Sequence, residues 1–598
     1  MTTLARIVFA VLVCATFAAF FAAQELKSKP ALVQHVKVSR QLSPNGDGRH
    51  DRAFVSFSLQ RRDDITVKVV EDDGDEVRSL VDGREVAPRE RQRLHWDGRD
   101  DRGRQVPDGI YRIRVNLRRQ GRAVTLPRDI HKDTRPPRPR VSDIGPQPGA
   151  GPELLPRADG RPATVSFAAP GRHPEVQVLR TDVRPAQPVF DKPVRLADDA
   201  RRWQWDGTSD GRRRAAAGTY AVVVRSRDRA GNVGSSAPAA LRPGARGRLP
   251  GHAGITVRHL RVQAPAAAVP AGGRSAVAVD SVDKDYRWRL RRVGSSRSRE
   301  DGRGTRSRVV GFRTPRGRSG LYLFEARTSR RLATAPLLVQ SKAPQRVLVV
   351  LPATTWQGLN PVDDDGDGLP NTLLAGGPVQ TSRPYVDDGL PPQLRRGEAL
   401  LLAYLDRQSH RYDLTTDVAL ARGEGPRLAG HRGVILAGDT RWLDAGLGRA
   451  LRAYVRGGGR VLSAGTSSLR RSVRVTNDGL AGDPTPPTTR DLFGSRLRPI
   501  ARAPLTLVNT VDDIGLFAGT EGRFGGIEVF EETQSVAGGG RIVAAAAADD
   551  GRRRVIVATR LGKGLVIRPG LGDFARRLRA RGEIGGFMES AWTLLALR

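Results

Sequence analysis

The sequence predicts a multidomain chain: tandem antiparallel β-sandwich modules followed by a doubly wound α/β domain. Three observations carry this expectation. The first is the stretch 433–465, GVILAGDTRWLDAGLGRALRAYVRGGGRVLSAG. Val434-Ile435-Leu436 is a short apolar run ending at Ala437-Gly438, as a buried strand would. Leu447, Ala450, Leu451, Tyr454 and Val455 then recur at the spacing of one helix face. Gly457-Gly458-Gly459 stops that helix, because glycine takes left-handed backbone angles cheaply, and Val461-Leu462 opens a second strand. Strand, helix and strand in this order make a βαβ unit, which demands parallel pairing. The second observation is a series of short alternating runs after Val38, among them 54–59, 65–70 and 111–115. They are separated by the turns Asp73-Gly74, Asp82-Gly83 and Asp108-Gly109, the signature of an antiparallel sandwich. The third is an internal repeat: Trp96-Asp97-Gly98 is followed by Tyr111, and Trp205-Asp206-Gly207 by Tyr220 at the same distance.

At 598 residues the chain exceeds one core, and about three to five domains are expected. Gly 67 and Pro 40 with only 5% aromatics favour small β domains joined by turn-rich loops. The net charge of +37 comes almost wholly from arginine, since nine residues are lysine. It reads either as an arginine-biased composition or as a surface for polyanions. Nucleic acid is not expected as a partner, because no zinc-finger spacing, RNA-recognition signature or helix-turn-helix is found. Residues 7–23 form an apolar run after Arg6, either a signal peptide or an uncleaved membrane anchor. Phe20 and Phe21 spoil the small-residue cleavage pattern before Gln24, which favours the anchor; both readings place the remainder outside the cytoplasm. Cys14 is the single cysteine, so the exported part has no disulfide, cysteine metal site or thiol nucleophile.

The expected order is a first module at 36–135, a Pro/Gly linker at 136–160, a second module at 160–240, a linker at 241–254, a third module at 255–342 and the α/β domain at 344–598. Ser43-Pro44-Asn45-Gly46-Asp47-Gly48 with Asp51, followed by W-D-G and D-G-x-Y, resembles the FlgD-like immunoglobulin-fold modules of secreted bacterial proteins. The resemblance covers about 38–120 and, more loosely, 160–237, where the SPNGDG opening is missing. It implies Ig-like sandwiches; each tryptophan and tyrosine by itself reads as core packing at a hairpin. The third module is read from strands at 255–262, 276–279 and 322–326. Its arginines, Arg287, Arg289, Arg291, Arg292, Arg297, Arg299, Arg303, Arg306 and Arg308, form either a solvated face or a patch for anionic lipid head groups or cell-wall polymer.

From Pro344 the pattern changes. Val347-Leu348-Val349-Val350-Leu351 is a continuous apolar strand, 398–407 a helix, 412–414 a short strand, 555–558 and 565–567 later strands, and 587–597 a closing helix. Ligands of an open parallel sheet sit beyond the carboxyl ends of its strands. That rule nominates Trp356, Gln357, Asp439, Arg441, Trp442, Thr466 and Ser467 as cleft residues. Leu351-Pro352-x-Thr354-Thr355-Trp356-Gln357-x-x-Asn360, Tyr412-Asp413-x-x-Thr416-Asp417 and Tyr454-Val455-x-x-Gly458-Gly459 resemble the C-terminal domain of the N,N-dimethylformamidase large subunit. The hairpin at Ser319-Gly320-Leu321-Tyr322 also fits, and the resemblance spans about 255–598. It implies a glutamine-amidotransferase-like (flavodoxin-like) fold and, in the family enzyme, a mononuclear iron held by two tyrosines and a glutamate. Those ligands lie in T-W-Q-A-Y-N and H-x-E-Y-W motifs, where this chain has Gly358-Leu359 and Asp439-Thr440-Arg441-Trp442. Leucine offers no ligand atom and arginine repels a ferric ion, so no iron is expected. A cysteine nucleophile is also missing, since the chain has Thr466-Ser467. His410 and His431 are candidate bases for a serine, or surface histidines.

Asp363, Asp365 and Asp367, in the string DDDGDGLPN, resemble the D-x-D-x-D-G calcium loops of extracellular proteins. The twelfth loop position is Leu374, so the loop reads either as a calcium site or as a solvated acidic turn. Asn45, Asp47 and Asp51 form a weaker cluster of the same kind. The expected function is an exported, membrane-tethered surface protein with a non-catalytic binding module at its end. The rivals are an extracytoplasmic hydrolase working on an amide or glycan through Asp439 and Ser467, and a structural spacer.

Overall fold

The computed structural model describes residues 3–28, 31–145, 153–154, 162–237, 253–386, 388–482, 484–537, 539–579 and 582–597. Helix Thr3–Ser28 comes first. Among the described residues no helix is long and apolar enough to cross a membrane.

Residues from Val33 to Lys132 form two facing sheets. Strands Val33–Val38, Ala53–Leu59 and Arg91–Trp96 make one, and the other is built around Asp63–Glu71 and Gly109–Leu117. In Gly109–Leu117, Tyr111, Ile113, Val115 and Leu117 are buried and alternate with less buried residues, because successive side chains point to opposite sheet faces. They close on Val55, Phe57, Val67 and Val69. A second sandwich repeats the plan with Ala163–Ala168, Arg172–Arg180, Arg202–Trp205 and Gly218–Arg227. The sequence repeat is a repeated corner. Trp96 meets Tyr111 edge-on at 4.9 Å, and Trp205 meets Tyr220 at 5.4 Å. Each tyrosine hydroxyl donates to the carbonyl four residues back, Pro107 or Ala216, at 2.7 Å. Each indole N–H donates three residues on, to Arg99 or Thr208. The aromatic pair buries its area while every polar tip is satisfied.

Two expected boundaries move. Part of the 136–160 linker is strand Arg140–Gly145, which pairs with Ala163–Ala168 in the second sandwich; 146–152 and 155–161 lie outside the described residues. The strand expected at 255–262 is two strands. Gly254–Val257 pairs with Gly218–Arg227 of the second sandwich, with Ile255 opposite Tyr220, and Leu260–Gln263 opens the third. Of the second linker, 241–252 lies outside the described residues.

The third sandwich has a core around Trp288, Phe312 and Phe324, whose rings stack. It is not closed on itself. Val293, Leu321, Leu323 and Leu338 belong to the core of the C-terminal region. Arg292 crosses the same boundary, with Nε and Nη2 on the two oxygens of Asp406 at 2.6 and 2.7 Å.

The doubly wound α/β domain expected for 344–598 is corrected. Among the described residues strand far outweighs helix, which makes the molecule mostly β. The C-terminal sheet is mixed. Asp413–Thr416, Val347–Leu351, Gly433–Leu436, Arg460–Ser463 and Gly564–Arg568 are parallel neighbours. Beyond them Arg554–Leu561, Gly540–Ala548, Ala501–Asp512 and Arg523–Phe530 continue the same sheet antiparallel. Hairpin connections in the last hundred residues produce this half, because antiparallel strands need no crossover.

Candidate functional site

Side chains and backbone gather where the parallel strands end. Gly438 and Asp439 follow strand Gly433–Leu436, and Ala464 and Gly465 follow Arg460–Ser463. The two turns touch. A Cβ on Gly465 would lie 2.2 Å from the Gly438 carbonyl oxygen, so only glycine permits this approach. Gly438, at φ +82, is pressed in turn against Glu398: a Cβ there would lie 2.3 Å from Oε1. Glu398 is the first residue of helix Glu398–Arg407 and is 4% exposed. Its Oε1 accepts from Trp356 Nε1 at 3.2 Å, and its Oε2 is buried without a hydrogen-bond partner. Burial pushes this carboxyl up to about 7, and the neighbouring Asp439 adds to the shift. Asp439 is itself raised by burial, against the pull of Arg441, while Oδ1 accepts the Thr466 N–H at 2.9 Å. Glu398, Gly438, Asp439 and Gly465 line a cavity of about 400 Å³, with Arg396, Arg502 and Arg576 also on its wall.

A second polar group sits behind the adjoining turn. Arg568 donates to Asp491 and Glu531, both at 2.8 Å, and all three side chains are buried. Glu531 also accepts the Ser467 N–H at 3.2 Å on each oxygen. Ser467 has φ +51, a left-handed conformation that costs a residue with a Cβ about 1–2 kcal/mol. The Glu531 carboxylate compensates by holding the strained N–H.

The nominated cleft residues therefore divide. Trp356, Asp439, Thr466 and Ser467 lie on or beside this centre. Gln357 does not: its amide is consumed by Arg383 and Asn360. Trp442 is fully buried in a small apolar cluster with Leu373, Val379 and Leu480, with Leu359 packed against it and the Arg471 guanidinium over its ring. Arg441 is tethered by its N–H to Thr355 Oγ1 at 2.9 Å. His410 binds Glu589, and His431 binds Asp413 at 2.9 Å. Asp413 begins its strand, so these histidines lie at the opposite end of the sheet from Ser467. Glu398, Glu531, Asp491 and Arg568 were not legible as site residues; the signal available for Glu398 was a lone acid at a helix start, which ordinarily faces water.

The acidic loop folds largely on itself. Asp363, Asp365 and Asp367 each bring a carboxylate oxygen within 4.8 Å of the others. Both Asp363 oxygens accept backbone N–H groups, from Gly366 and Gly368, and burial together with Asp367 and Asp365 raises its carboxyl. Asp364 pairs with the buried Arg383 at 2.8 Å. The loop also docks on the second sandwich: Thr181 Oγ1 donates to Gly368 O at 2.6 Å and Gly254 N to Gly366 O at 3.0 Å. In the first sandwich, Asn45, Asp47 and Asp51 take up the N–H groups of their own turn, and Asn45 also donates to Asn232 of the next sandwich.

Residues 309–510 match the family described as N,N-dimethylformamidase beta subunit-like, C-terminal. The match begins inside the third sandwich, in strand Arg308–Arg313. No curated protein matches the chain. Among solved structures, the chain is similar at 8% identity to the C-terminal 282-residue fragment of intimin in complex with the intimin-binding domain of its receptor, with a TM-score of 0.19. That likeness covers 34% of this chain and 62% of the fragment, so less than two thirds of the latter is spanned. A chain from a structure described as concerning host cell surface retention of a 1.5-MDa bacterial ice-binding adhesin is similar at 11% identity, covering 52% of this chain and 96% of that chain, with a TM-score of 0.22. Titin domains A168–A170 are similar at 13%, covering 52% and 98%, with a TM-score of 0.18. Scores of this size carry neither fold nor function across.

Proposed function

We propose that this chain is an exported, membrane-tethered surface protein whose C-terminal region binds a ligand and does not hydrolyse amides. One observation carries the reading. The positions that the resemblance sets against the family's iron ligands hold Leu359, Thr440 and Arg441. Leu359 packs in an apolar cluster, Thr440 is 2% exposed with its N–H on Ser468 Oγ, and Arg441 brings a cation. These residues do not fit a ferric ion, which needs anionic oxygen donors. A different, acid-floored cavity lies beside them and supports binding. The test is the purified full chain: no stoichiometric iron, no phenolate-to-iron absorbance band and no dimethylformamide hydrolysis are expected. Iron near one per chain together with amide hydrolysis would replace the binding reading with an enzyme.

Support for export and tethering comes from helix Thr3–Ser28, where Ile7, Val8, Phe9, Val11, Leu12, Phe17, Phe20 and Phe21 are exposed, an apolar surface that water disfavours. A reporter active only in the cytoplasm, fused after residue 30, should be silent; strong activity would sink the location. The envelope partner is an anionic cell-wall polymer or lipid head group. Arg287, Arg297, Arg299, Arg303, Arg306 and Arg308 are exposed and support it, whereas Arg289 and Arg291 are held by Glu325. Calcium at Asp363, Asp365 and Asp367 is part of the same proposal, since three carboxylates already converge there.

A further inference from the structure

We propose that the cavity between Glu398, Asp439 and the arginines Arg396, Arg502 and Arg576 binds a small zwitterion, its amine at the carboxylates and its anionic group at the guanidiniums. The proposal deepens the binding reading above and rests on it. The inner end is built for a cationic donor. Glu398 is buried, its Oε1 is spent on Trp356, and its Oε2 has no partner. A buried, unpaired carboxylate oxygen requires an explanation, and a bound donor supplies one. Gly438 and Gly465 line the cavity beside Glu398 and Asp439, and having no side chains they leave the space next to the two acids open. A primary ammonium carries three donors and needs only two or three acceptors. A calcium ion takes six to eight oxygens, which two carboxylates do not provide. Among the described residues, the one group of three or more metal-binding side chains is the distant 363–367 loop.

The outer end has the opposite sign. Arg396, Arg502 and Arg576 are exposed, and none makes an ion pair among the described residues. Asp573, on the same wall, is occupied by Arg577 at 2.8 Å. Guanidinium groups recognise carboxylates through paired N–H donors. A cavity of about 400 Å³ suits an amino acid or a short peptide.

The experiment is calorimetric titration of the full chain with glycine, 6-aminohexanoate, n-butylamine and butyrate. A zwitterion should bind at least tenfold tighter than either one-ended compound. Glu398→Gln, which keeps the acceptor for Trp356, should weaken the zwitterion and the amine tenfold or more and leave butyrate unchanged. Arg502→Gln should weaken the zwitterion and butyrate and spare the amine. A single cooperative melting transition at pH 7, no lower than that of the unaltered chain, would show that both variants fold. Butyrate binding as tightly as the zwitterion, full zwitterion affinity in Glu398→Gln, or no heat from either zwitterion would overturn the proposal. Iron content and amide hydrolysis are read separately, so failure of the wider reading is distinguishable from failure of this one.

Discussion

Glu398 is a buried acid whose ionisation the fold opposes. Its carboxyl lies near 7 in the folded chain and near the ordinary range when unfolded, and Asp417 is pushed up to about 7 by complete burial. A raised folded value means that the native state holds protons the unfolded state has released. The stability this contributes is present at low pH and lost as pH rises through about 7. The melting temperature should therefore fall between pH 5 and pH 8. Glu398→Gln should flatten that fall and gain on the order of 2 kcal/mol at pH 8. A variant with the wild-type pH profile would show that Glu398 is ionised and satisfied in the native state. None of this was legible beforehand, because the partners that desolvate Glu398 are Trp356, Gly438 and Asp439, each about forty residues away.

At the scale of elements, the strand ends are held by one buried cation. Arg568 closes strand Gly564–Arg568 and binds Asp491 from one loop and Glu531 from another. Glu531 in turn carries the left-handed turn at Ser467. Arg568→Ala would leave two buried carboxylates without their main partner, a loss of about 3–5 kcal/mol. Chemical denaturation reads it, and a loss under 1 kcal/mol would show that Arg470 or water replaces the guanidinium. The apolar pattern of this strand was readable as a strand. Its second neighbour was not: Arg554–Leu561 pairs antiparallel with it, and pairing direction is set by connections and partners, which periodicity does not report.

In the whole molecule the domains are joined by polar latches. Arg292 to Asp406 fastens the third sandwich to the C-terminal region, and Ser43 and Asn45 meet Asn232 between the first two. The 363–369 loop fastens the C-terminal region to the second sandwich through Gly366, Gly368 and Leu369. If Asp363, Asp365 and Asp367 take calcium, the ion stabilises that latch by binding the native state alone. Millimolar calcium should raise the melting temperature, and Asp365→Ala should abolish the response. A flat response in the wild type would show that the loop is held by its own backbone N–H groups and Arg383.

What the sequence by itself determined is local. Alternation marked the sandwich strands, the Trp-to-Tyr spacing marked the repeated corner, and a glycine-stopped apolar helix marked the parallel strands at 433–436 and 460–463. Each depends on residues within about a helix or a hairpin of one another, where backbone geometry links spacing to facing. Only the tertiary structure decided that the last sheet is mixed, that Ile255 belongs to the second sandwich and that the third sandwich shares its core with the C-terminal region. It also decided which acids are buried. A pattern shows that a face is covered but not by what, and both strand direction and carboxylate burial depend on the element that covers it.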